Sequence, residues 1–413
     1  MEVLKSHKVT YHEIREDKHL LVFTDAGEWL IADSELLDFL LSFNGQTSTE
    51  KILEEIKDKE RATAIEVIKF LKEKGILFSY PAEITSEKTP NKIFNITINL
   101  TNQCNLKCKW CYNRVSETNQ EISPDLVIKN IQAFRKHLAR DANLILLGGE
   151  PFLVPAAIEK YLCFSEKYFT QKLLLSTNGI IANPEILKIL KNRQIELQVS
   201  LDGADSESND SIRGAGTFDR VLGNIKKFVD ADIYTMISMV YSSAGISDFE
   251  NYLKLATELN VDEARFIPLR AVNKGTGFNH LLPNQYQAFK SLLTVLQRNP
   301  AFKKLLDRDY FSILYNVCSG KGTRKNCGLG YEVLFIDADG SVYPCPNLKY
   351  PEYNAGNLHD TDLMSLYLES PVFLNLRKNF LTKNYTKVSV RLYTLDTINW
   401  KAWGESKEQE PLV

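Results

Sequence analysis

Short apolar segments alternate with helical patterns every 30 or so residues between positions 92 and 285, and this alternation limits the fold more than any other feature. The predicted strands cover residues 96–100, 144–147, 172–176, 195–200, 234–240 and 263–268. The helical patterns cover residues 124–140, 155–168, 184–192 and 219–231. Strands that alternate with helices form parallel sheets through right-handed crossovers. The sequence therefore predicts an α/β unit whose functional groups collect at the carboxyl ends of its strands.

Three cysteines follow the first of these strands directly. Cys104, Cys108 and Cys111 have C-x3-C-x2-C spacing, with an aromatic residue immediately before the last cysteine. Three thiolates on one short loop can hold three irons of a 4Fe-4S cluster and leave the fourth iron open to a substrate. The alternative is a structural zinc site, which needs a fourth Cys or His close by. None of the six histidines lies within twenty residues of the loop, so the pattern favours the iron–sulfur cluster.

The cysteine loop resembles the signature of the radical S-adenosyl-L-methionine (radical SAM) superfamily. The resemblance implies a partial (β/α)6 barrel over residues 92–285, in which Cys104, Cys108 and Cys111 hold a 4Fe-4S cluster. It also implies that the open iron binds the amino and carboxylate groups of S-adenosyl-L-methionine (SAM). In that family one electron from the cluster splits SAM into methionine and a 5′-deoxyadenosyl radical, which takes a hydrogen atom from the substrate. An electron donor such as flavodoxin or ferredoxin is implied as a partner.

Motifs at later strand ends match the same family. Gly148-Gly149-Glu150 matches a motif whose backbone and carboxylate meet the SAM amino group. Ser200 and Arg213, the latter in the loop after the fourth strand, would hold the SAM carboxylate. The residues that the resemblance assigns to SAM binding are Tyr112, Gly148, Gly149, Glu150, Ser176, Asn178, Ser200, Asp202 and Arg213.

Several of these assignments have a local alternative. Ser176 and Asn178 would line the ribose side, but Asn178-Gly179 is also a common strand-ending turn. Arg213 is otherwise an exposed loop cation. The adenine is expected near residues 266–269, which would equally suit the core of the barrel.

Residues 1–82 carry a separate pattern. Alternating apolar segments lie at 20–23 and 29–31, helical patterns at 34–41, 47–56 and 64–74, and a final strand at 76–78. A polar, proline-bounded stretch gives a predicted linker at 83–91. The region resembles the winged-helix-like α+β recognition element of enzymes that modify ribosomal peptides (the RiPP recognition element). The resemblance implies that a precursor peptide binds by its leader sequence as an added strand; the alternative is an unrelated small helical domain.

The third region, residues 310–380, contains three further cysteines, Cys318, Cys327 and Cys345. The last two enclose a predicted hairpin whose turn is Asp339-Gly340. This hairpin resembles the first half of a SPASM domain, the auxiliary-cluster module of radical SAM enzymes that modify peptides. The resemblance implies an auxiliary iron–sulfur cluster on the three cysteines. The alternative is that they are free thiols.

The chain departs from the SPASM pattern after the hairpin. No cysteine follows Cys345, whereas a full SPASM domain continues with a further cysteine run, so a second auxiliary cluster is not expected. Residues 381–413 form an atypical tail. Two explanations compete: one auxiliary cluster completed by an outside ligand, or an altered reading frame that leaves a truncated protein and puts its activity in doubt.

Composition limits the function classes. A formal net charge of −2 over 413 residues gives no sign of a nucleic-acid partner. No apolar run approaches the ~18 residues of a membrane span. Seven cysteines, an odd number, suit metal ligation in a reducing compartment better than disulfides, so a cytoplasmic location is expected. Cys163 lies in a helical apolar pattern and is expected to be a buried small hydrophobe.

These features together predict a radical SAM enzyme that modifies a precursor peptide by forming a thioether, a carbon–carbon crosslink or an epimer. A sulfatase-maturing enzyme is an alternative, but its motif has an Asp directly after the second hairpin cysteine, where this chain has Pro346. Another alternative is a catalytically silent, truncated copy that only binds a peptide.

Overall fold

A computed structural model of the chain describes residues 2–6, 11–15, 18–23, 28–79, 92–113, 119–270, 273–283, 285–306 and 330–382. Two compact units are present: among the described residues the first comprises 2–79 and the second 92–382. Within this described part of the chain, every helix is too short or too polar to span a bilayer. The expected linker 83–91, Cys318, Cys327 and residues 383–413 of the tail lie outside the described residues.

The first unit contains two antiparallel sheets and three helices. Its strands are β1 (Val3–Ser6), β2 (Tyr11–Arg15), β3 (Lys18–Phe23), β4 (Glu28–Ala32), β5 (Asn44–Ser48) and β6 (Leu77–Ser79). Its helices are α1 (Ser34–Ser42), α2 (Thr49–Glu54) and α3 (Asp58–Glu73). One sheet has the strand order β5–β1–β6 and the other β2–β3–β4. Both sheets have three strands, which makes each a separate small layer around the helices.

Apolar side chains from the sheets and helices of this unit meet in one core. Leu4, Phe23, Phe43, Leu71 and Ile76 are fully buried there. The predicted helices are confirmed, although α3 begins well before the predicted residue 64. β5 was not predicted, because its sequence Asn-Gly-Gln-Thr-Ser has no apolar alternation. The likeness to a winged-helix recognition element stays a prediction.

Six parallel strands form the centre of the second unit. They are β7 (Ile93–Asn99), β8 (Leu138–Leu147), β9 (Leu173–Thr177), β10 (Ile195–Ser200), β11 (Thr235–Tyr241) and β12 (Glu263–Pro268), adjacent in that order. The helices are α4 (Pro124–Ala133), α5 (Pro155–Tyr168), α6 (Pro184–Leu190), α7 (Ser206–Arg213), α8 (Thr217–Asp230), α9 (Phe249–Glu258) and α10 (Gln285–Arg298). The predicted partial (β/α)6 barrel and all six predicted strands are confirmed.

The two faces of this parallel sheet differ in polarity. One face carries fully buried apolar residues, including the aligned row Ile98, Leu146, Leu175 and Leu197. The opposite face carries the aligned row Thr97, Ile145, Leu174 and Glu196, and two positions further along it carries Asn99, Leu147, Ser176 and Gln198. Because helices cover the apolar face of such sheets, the polar face is the inner face of the partial barrel.

The predicted helix over residues 124–140 is wrong at its end. α4 stops at Ala133, a short 3₁₀ turn covers Arg135–His137, and β8 starts at Leu138. No glycine or proline marks this helix end in the sequence, so the apolar pattern alone could not locate it. Pairing of Leu138 with Ile93 of the neighbouring strand draws these residues into the sheet instead.

A C-terminal hairpin extends the sheet beyond β7. Its strands are β13 (Val333–Ile336), β14 (Ser341–Tyr343) and β15 (Gly356–Asn357), and α11 (Leu363–Glu369) and α12 (Pro371–Thr382) follow. β13 pairs in parallel with β7, which was not predicted. The predicted turn is confirmed: Gly340 donates its N–H to the Asp337 carbonyl at 2.9 Å and has a φ of +87°. A side chain at Gly340 would also meet Asn357 Oδ1 at 2.7 Å, so the turn needs glycine.

Cys163 is not a buried hydrophobe, contrary to the prediction. It lies on α5 with an exposed side chain, whereas its chain neighbours Leu162 and Phe164 are buried. Its Sγ lies 3.4 Å from a guanidinium nitrogen of Arg193. The residue therefore belongs to the polar surface of the helix.

Candidate functional site: a cysteine loop at the strand ends

The cysteine loop leaves the carboxyl end of β7 and is held at two places. Asn102 donates its N–H to the Gln120 carbonyl (3.2 Å) and accepts the Gln120 N–H through Oδ1 (2.9 Å). The two side chains are also bonded, from Asn102 Nδ2 to Gln120 Oε1, at 3.1 Å. Further along, Lys109 donates its N–H to the Ile212 carbonyl at 2.9 Å. These bonds fix the base and the middle of the loop.

The three predicted cluster ligands lie together on this loop. Cys104, Cys108 and Cys111 are half-buried and form no disulfide. The Cys104 Sγ accepts the Leu106 N–H at 3.4 Å and faces Asn178 Nδ2 at 3.7 Å. Such donors favour a sulfur that carries negative charge, which is the form that binds iron.

Burial makes two of these thiols weak acids. Desolvation raises the pKa of Cys104 to about 11. It also raises the pKa of Cys108, although the nearby Arg213 guanidinium acts in the opposite direction. A bound metal supplies the positive charge that deprotonates such thiols.

The loop suits a cluster better than a single ion. In the part of the chain that the structure describes, no three His, Cys, Asp or Glu side chains converge closely enough to hold one metal ion. In a 4Fe-4S cube each thiolate binds a different iron, so the sulfurs stay apart. Three half-buried thiols on one short loop, with N–H donors beside Cys104, therefore fit the cluster. The alternative of a zinc site has no convergent ligand set among these residues.

The end of β8 is bonded directly to the cysteine loop. Gly149 donates its N–H to the Thr101 carbonyl at 2.7 Å, and Glu150 donates its N–H to the Gln103 carbonyl at 2.8 Å. A Cβ at Gly149 would lie 2.0 Å from the Gln103 carbonyl oxygen. Glycine is needed here because any side chain would push the cysteine loop away; the predicted approach of this backbone to SAM stays a prediction. Gly148 packs nearby with more room, with its nearest neighbours at 3.3 Å.

The Glu150 carboxylate connects neighbouring strand ends. It is fully buried and accepts hydrogen bonds from the Thr177 hydroxyl (2.7 Å), the Asn178 N–H (2.7 Å) and the Phe152 N–H (3.0 Å). Burial raises the pKa of Glu150, and these donors oppose that rise. These three hydrogen bonds join the ends of β8 and β9 through Glu150, and its contact with the SAM amino group stays a prediction.

Asp202 and Arg213 form a buried ion pair beside the cysteine loop. The Arg213 Nε lies 2.9 Å from Asp202 Oδ2, and the two side chains are 9% and 3% exposed. The contact is an ion pair without aligned hydrogen-bond geometry, since Nε has no hydrogen-bond partner. Asp202 Oδ1 in turn accepts the Val240 N–H at 2.7 Å. Arg213 is therefore not an exposed loop cation; it is the last residue of α7, which was predicted as a loop.

The charge of this pair is favoured despite its burial. Desolvation lowers the pKa of Arg213, but the Asp202 carboxylate outweighs it, so the pKa lies above its usual value. A guanidinium held in this state beside Cys108 can bind a carboxylate in a forked geometry.

The other predicted SAM residues are near the same strand ends. Ser176 accepts a hydrogen bond from Gln198 Nε2 at 3.4 Å on the inner face, and Ser200 ends β10. Asn178 Nδ2 bonds to Asn105 Oδ1 of the cysteine loop at 2.7 Å. Tyr112 is half-buried next to Cys111, and desolvation raises the pKa of its phenol.

The segment expected near the adenine is partly core. Phe266 is 2% exposed and packs on Phe249, with 4.3 Å between the ring centroids. Leu269 is 4% exposed. For these two residues the barrel-core alternative is the correct one.

Of the predicted auxiliary-cluster ligands, only Cys345 lies in the described part of the chain. It is half-buried, forms no disulfide, and lies two residues after the end of β14. Cys318 and Cys327 lie outside the described residues, so their assignment stays a prediction.

A polar network beside the cysteine loop was missed by sequence reasoning. Asp337 accepts a hydrogen bond from Asn99 Nδ2 at 2.6 Å and pairs with Lys349 Nζ at 2.7 Å. Lys349 also donates to Asn113 Oδ1 at 2.7 Å. The network joins the end of β7, the exit of the cysteine loop and the C-terminal hairpin. No motif marks it, because its members come together only through the pairing of β7 with β13.

Comparison with known proteins agrees with this geometry. Residues 98–256 match the Radical SAM superfamily domain, and residues 327–389 match SPASM, an iron-sulfur cluster-binding domain. The AdoMet-dependent heme synthase of Methanosarcina barkeri is 27% identical over 299 residues, which cover 67% of this chain and 83% of the synthase. The mycofactocin maturase MftC of Mycobacterium tuberculosis is 27% identical over 298 residues, which cover 68% of this chain and 72% of the maturase.

A solved structure shows the same fold over most of the chain. The crystal structure of Streptococcus suis SuiB bound to S-adenosylmethionine has a TM-score of 0.55 and 16% sequence identity, and the match covers 90% of each chain. The cysteine loop, the partial barrel and the two matched domains lead to one conclusion. The chain is a radical SAM superfamily enzyme with a SPASM domain, related to peptide maturases, whose cofactors are a 4Fe-4S cluster and SAM.

Proposed function

We propose that this enzyme modifies a ribosomally made precursor peptide by removing a hydrogen atom from a side-chain or Cα carbon. When bound, the cluster and SAM supply the radical chemistry that this step requires. The observation that carries the proposal is the gathering of the cysteine loop, the Gly148-Gly149 backbone and the Asp202–Arg213 pair at neighbouring strand ends. The product is a thioether, a carbon–carbon crosslink or an epimer.

Support for a peptide substrate comes from two comparisons. One relative, MftC, is a mycofactocin maturase, and SuiB, which has a similar fold, has been solved with the precursor peptide SuiA. The heme synthase relative acts on a different class of molecule. A test of the proposal must therefore separate peptide substrates from other substrates, and not only detect SAM cleavage.

The protein's own groups would bind and orient SAM at this edge of the barrel. Arg213, held by Asp202, and Ser200 would bind the carboxylate of SAM, since a guanidinium forks well onto a carboxylate. The backbone at Gly148-Gly149 would meet the amino group. Tyr112 and, on the ribose side, Ser176 and Asn178 would complete the site, but Asn178 is also bonded to the cysteine loop.

The first unit would bind the leader of the precursor peptide. The edge strands of one sheet are β5 and β6, and those of the other are β2 and β4. Edge strands of this kind accept an added strand through backbone hydrogen bonds. Side-chain pockets beside such an edge would set the choice of peptide. A protein lacking residues 1–82 should lose binding of the precursor while it still cleaves SAM. Equal binding by the shortened protein would overturn this assignment.

The central test is SAM cleavage by the anaerobically reconstituted protein. Joint replacement of Cys104, Cys108 and Cys111 by Ala should abolish the formation of 5′-deoxyadenosine, because no thiolate remains for the cluster. The matched control is Cys163→Ala, which removes an exposed thiol far from the loop in sequence and should leave cleavage unchanged. Cleavage by the triple variant would contradict the proposal. Mass spectrometry of a candidate precursor peptide incubated in heavy water then separates peptide modification from uncoupled cleavage, because a crosslink lowers the peptide mass by the lost hydrogen and an epimer takes up deuterium.

Iron counting tests the proposed auxiliary cluster on Cys318, Cys327 and Cys345. The wild-type protein should hold at most two clusters, which corresponds to roughly eight irons. The variant without Cys104, Cys108 and Cys111 isolates the auxiliary site. If it holds roughly four irons that resist a chelator, a fourth ligand completes the cluster; if it holds none, the SPASM region carries no cluster and the truncated alternative is favoured.

The electron that starts the reaction would come from a small donor protein such as flavodoxin or ferredoxin. Reduction of the reconstituted enzyme by either protein, followed by formation of 5′-deoxyadenosine, is the direct check.

A further inference from the structure

A cavity of about 290 Å³ lies between the cysteine loop and the C-terminal hairpin. Its lining includes Asn102, Gln120, Asp337, Tyr343, Lys349 and Asn354. Asp337 and Lys349 are buried, while Gln120 and Asn354 are exposed, so the cavity leads from an open mouth to a charged floor. The volume is at the small end of the range for ligand sites and suits one residue of a chain.

The floor of this cavity belongs to the inner face of the barrel. Phe335 of β13 is aligned with Thr97 of β7, which lies in the polar row of the sheet. Asp337 comes two residues after Phe335, and Asn99 comes two after Thr97; the hydrogen bond between them confirms that they are neighbours. The cavity therefore opens beside the strand that leads into the cysteine loop.

The buried ion pair at the floor is costly to keep. Lys349 Nζ and Asp337 Oδ2 are 2.7 Å apart, and their side chains are 8% and 12% exposed. Taking two charges out of water costs several kcal/mol per ion, and apolar residues of similar volume often stabilise a protein as well or better. Such a pair at the floor of a cavity is better explained by recognition than by stability.

The side chains around the cavity offer more unused hydrogen-bond donors than unused acceptors. The Asp337 carboxylate accepts from Asn99 Nδ2 and from the Ala338 N–H, and it pairs with Lys349. Lys349 uses two of its three N–H groups, on Asp337 and on Asn113.

Two amides at the mouth add further donors. Gln120 uses its side-chain oxygen on Asn102, and Asn354 uses its side-chain oxygen on the Gly356 N–H. Among the described residues, the side-chain nitrogens of Gln120 and Asn354 have no hydrogen-bond acceptor. Three groups can thus donate to a ligand, which must supply acceptors.

We propose that this cavity binds an oxygen acceptor of the substrate peptide, either a backbone carbonyl or a carboxylate. Lys349 at the floor and the amides of Gln120 and Asn354 at the mouth donate to it, and the ring of Tyr343 forms a wall. The inference rests on the proposed peptide substrate. It assigns to the C-terminal hairpin a share in substrate binding that does not depend on an auxiliary cluster.

The test measures protection of Lys349 in the full-length, reconstituted enzyme. The probes are N-acetylglycinamide, which offers neutral carbonyls, and N-acetylglycine, which offers a carboxylate. Acetylation of lysines by an N-hydroxysuccinimide ester is followed by mass spectrometry, with the half-exposed Lys254 of α9 as the internal control. A probe at about twice its Kd should slow the acetylation of Lys349 about threefold and leave Lys254 unchanged.

The two probes separate the two sources of the oxygen. Protection by N-acetylglycinamide, with or without the other probe, assigns a backbone carbonyl. Protection by N-acetylglycine alone assigns a carboxylate. No protection by either probe, or equal slowing at Lys254, overturns the inference.

A variant removes the donors at the mouth without touching the ion pair. Gln120→Glu with Asn354→Asp keeps the side-chain oxygens that accept from Asn102 Nδ2 and from the Gly356 N–H, so the fold should be kept while both donors are removed. The acetylation rate of Lys349 in the presence of a probe should then rise to near its unprotected value, while Gln297→Glu, an exposed change on α10, should leave the protection intact. Full protection in the double variant overturns the inference. This readout does not include SAM cleavage. A failure of SAM cleavage would therefore count against the proposed function and not against this inference.

Discussion

The two units of this enzyme bury different kinds of side chain. Among the side chains of the first unit whose burial the structure describes, His19 is the one buried polar side chain, and its Nε2 lies 3.1 Å from the Ser34 hydroxyl. The second unit buries Glu150 and the charged pairs Asp202–Arg213 and Asp337–Lys349 at its strand ends. Burial of apolar surface is enough to explain the first unit. The second keeps charges that cost stability, at the edge of the barrel where the chemistry takes place.

The largest effect should come from breaking a buried ion pair in the second unit. Lys349→Met leaves the Asp337 carboxylate buried without its cation, and we expect a loss of about 3–5 kcal/mol in the free energy of unfolding. Urea unfolding of the metal-free protein, monitored by hydrogen exchange in residues 92–382, measures this loss of free energy. Adding Asp337→Asn removes the unpaired charge and should recover most of the loss; a double variant as unstable as the single one would contradict the argument.

A slightly smaller effect should come from the apolar core of the first unit. Leu71→Ala deletes a fully buried side chain of α3 and should cost about 2–4 kcal/mol, the transfer free energy plus that of the cavity. Hydrogen exchange should speed up in residues 2–79 and stay unchanged in residues 92–382. The matched control is Leu41→Ala on α1, a 56% exposed leucine, which should cost far less. Equal costs for the two would show that this core does not hold the unit together.

Loss of a hydrogen bond from an uncharged donor to a buried carboxylate should have an intermediate effect on the free energy of unfolding. Thr177→Val removes the hydroxyl that donates to Glu150 at 2.7 Å and should cost about 1–3 kcal/mol. The Phe152 and Asn178 N–H donors remain, so the carboxylate keeps part of its shell. Thermal unfolding of the metal-free protein gives the value. A change within error would mean that these two donors suffice.

The smallest effect should come from a surface ion pair of the first unit. Lys72 contacts Glu2 at 2.8 Å, but both side chains are about two-fifths exposed, so Lys72→Met should cost less than about 1 kcal/mol. The hydrogen bond to Lys72 lowers the pKa of Glu2 from its usual 4.5. The stabilisation is therefore present above pH 4.5 and is lost as the pH falls through the lowered value. The small difference in unfolding free energy between wild type and variant should be larger at pH 6 than at pH 3.

Local signals in the sequence were enough for much of the fold and for the centre of the site. The strands of the barrel are short apolar runs between turn residues, and Asp339-Gly340 marked the hairpin by the positive φ that the glycine supplies. The spacing of Cys104, Cys108 and Cys111 located the cluster loop. The glycine at 149 was expected to permit a close approach of the backbone to SAM, whereas the close contact in the structure is with the Gln103 carbonyl.

Contacts between distant parts of the chain could not be predicted in the same way. Asn99 and Asp337 are 238 residues apart, and no local pattern relates them. The burial of Arg213 depends on α7, whose polar sequence gave no apolar stripe. Glu150 shows a further limit: its motif located the residue, but the three protein donors around its carboxylate could not be predicted from the sequence.

The parallel pairing of β7 with β13 has a consequence for the order in which the molecule assembles. The cysteine loop follows β7, which pairs with β8 on one side and with β13 on the other. β13 lies more than 200 residues later in the chain. On a ribosome that adds about 5–20 residues per second, a separation of this size corresponds to roughly ten to fifty seconds. During that time one edge of β7 has no partner, and unpaired edges are open to wrong pairing. The strand that leads into the cluster loop is thus completed only after every other strand of the barrel has been made.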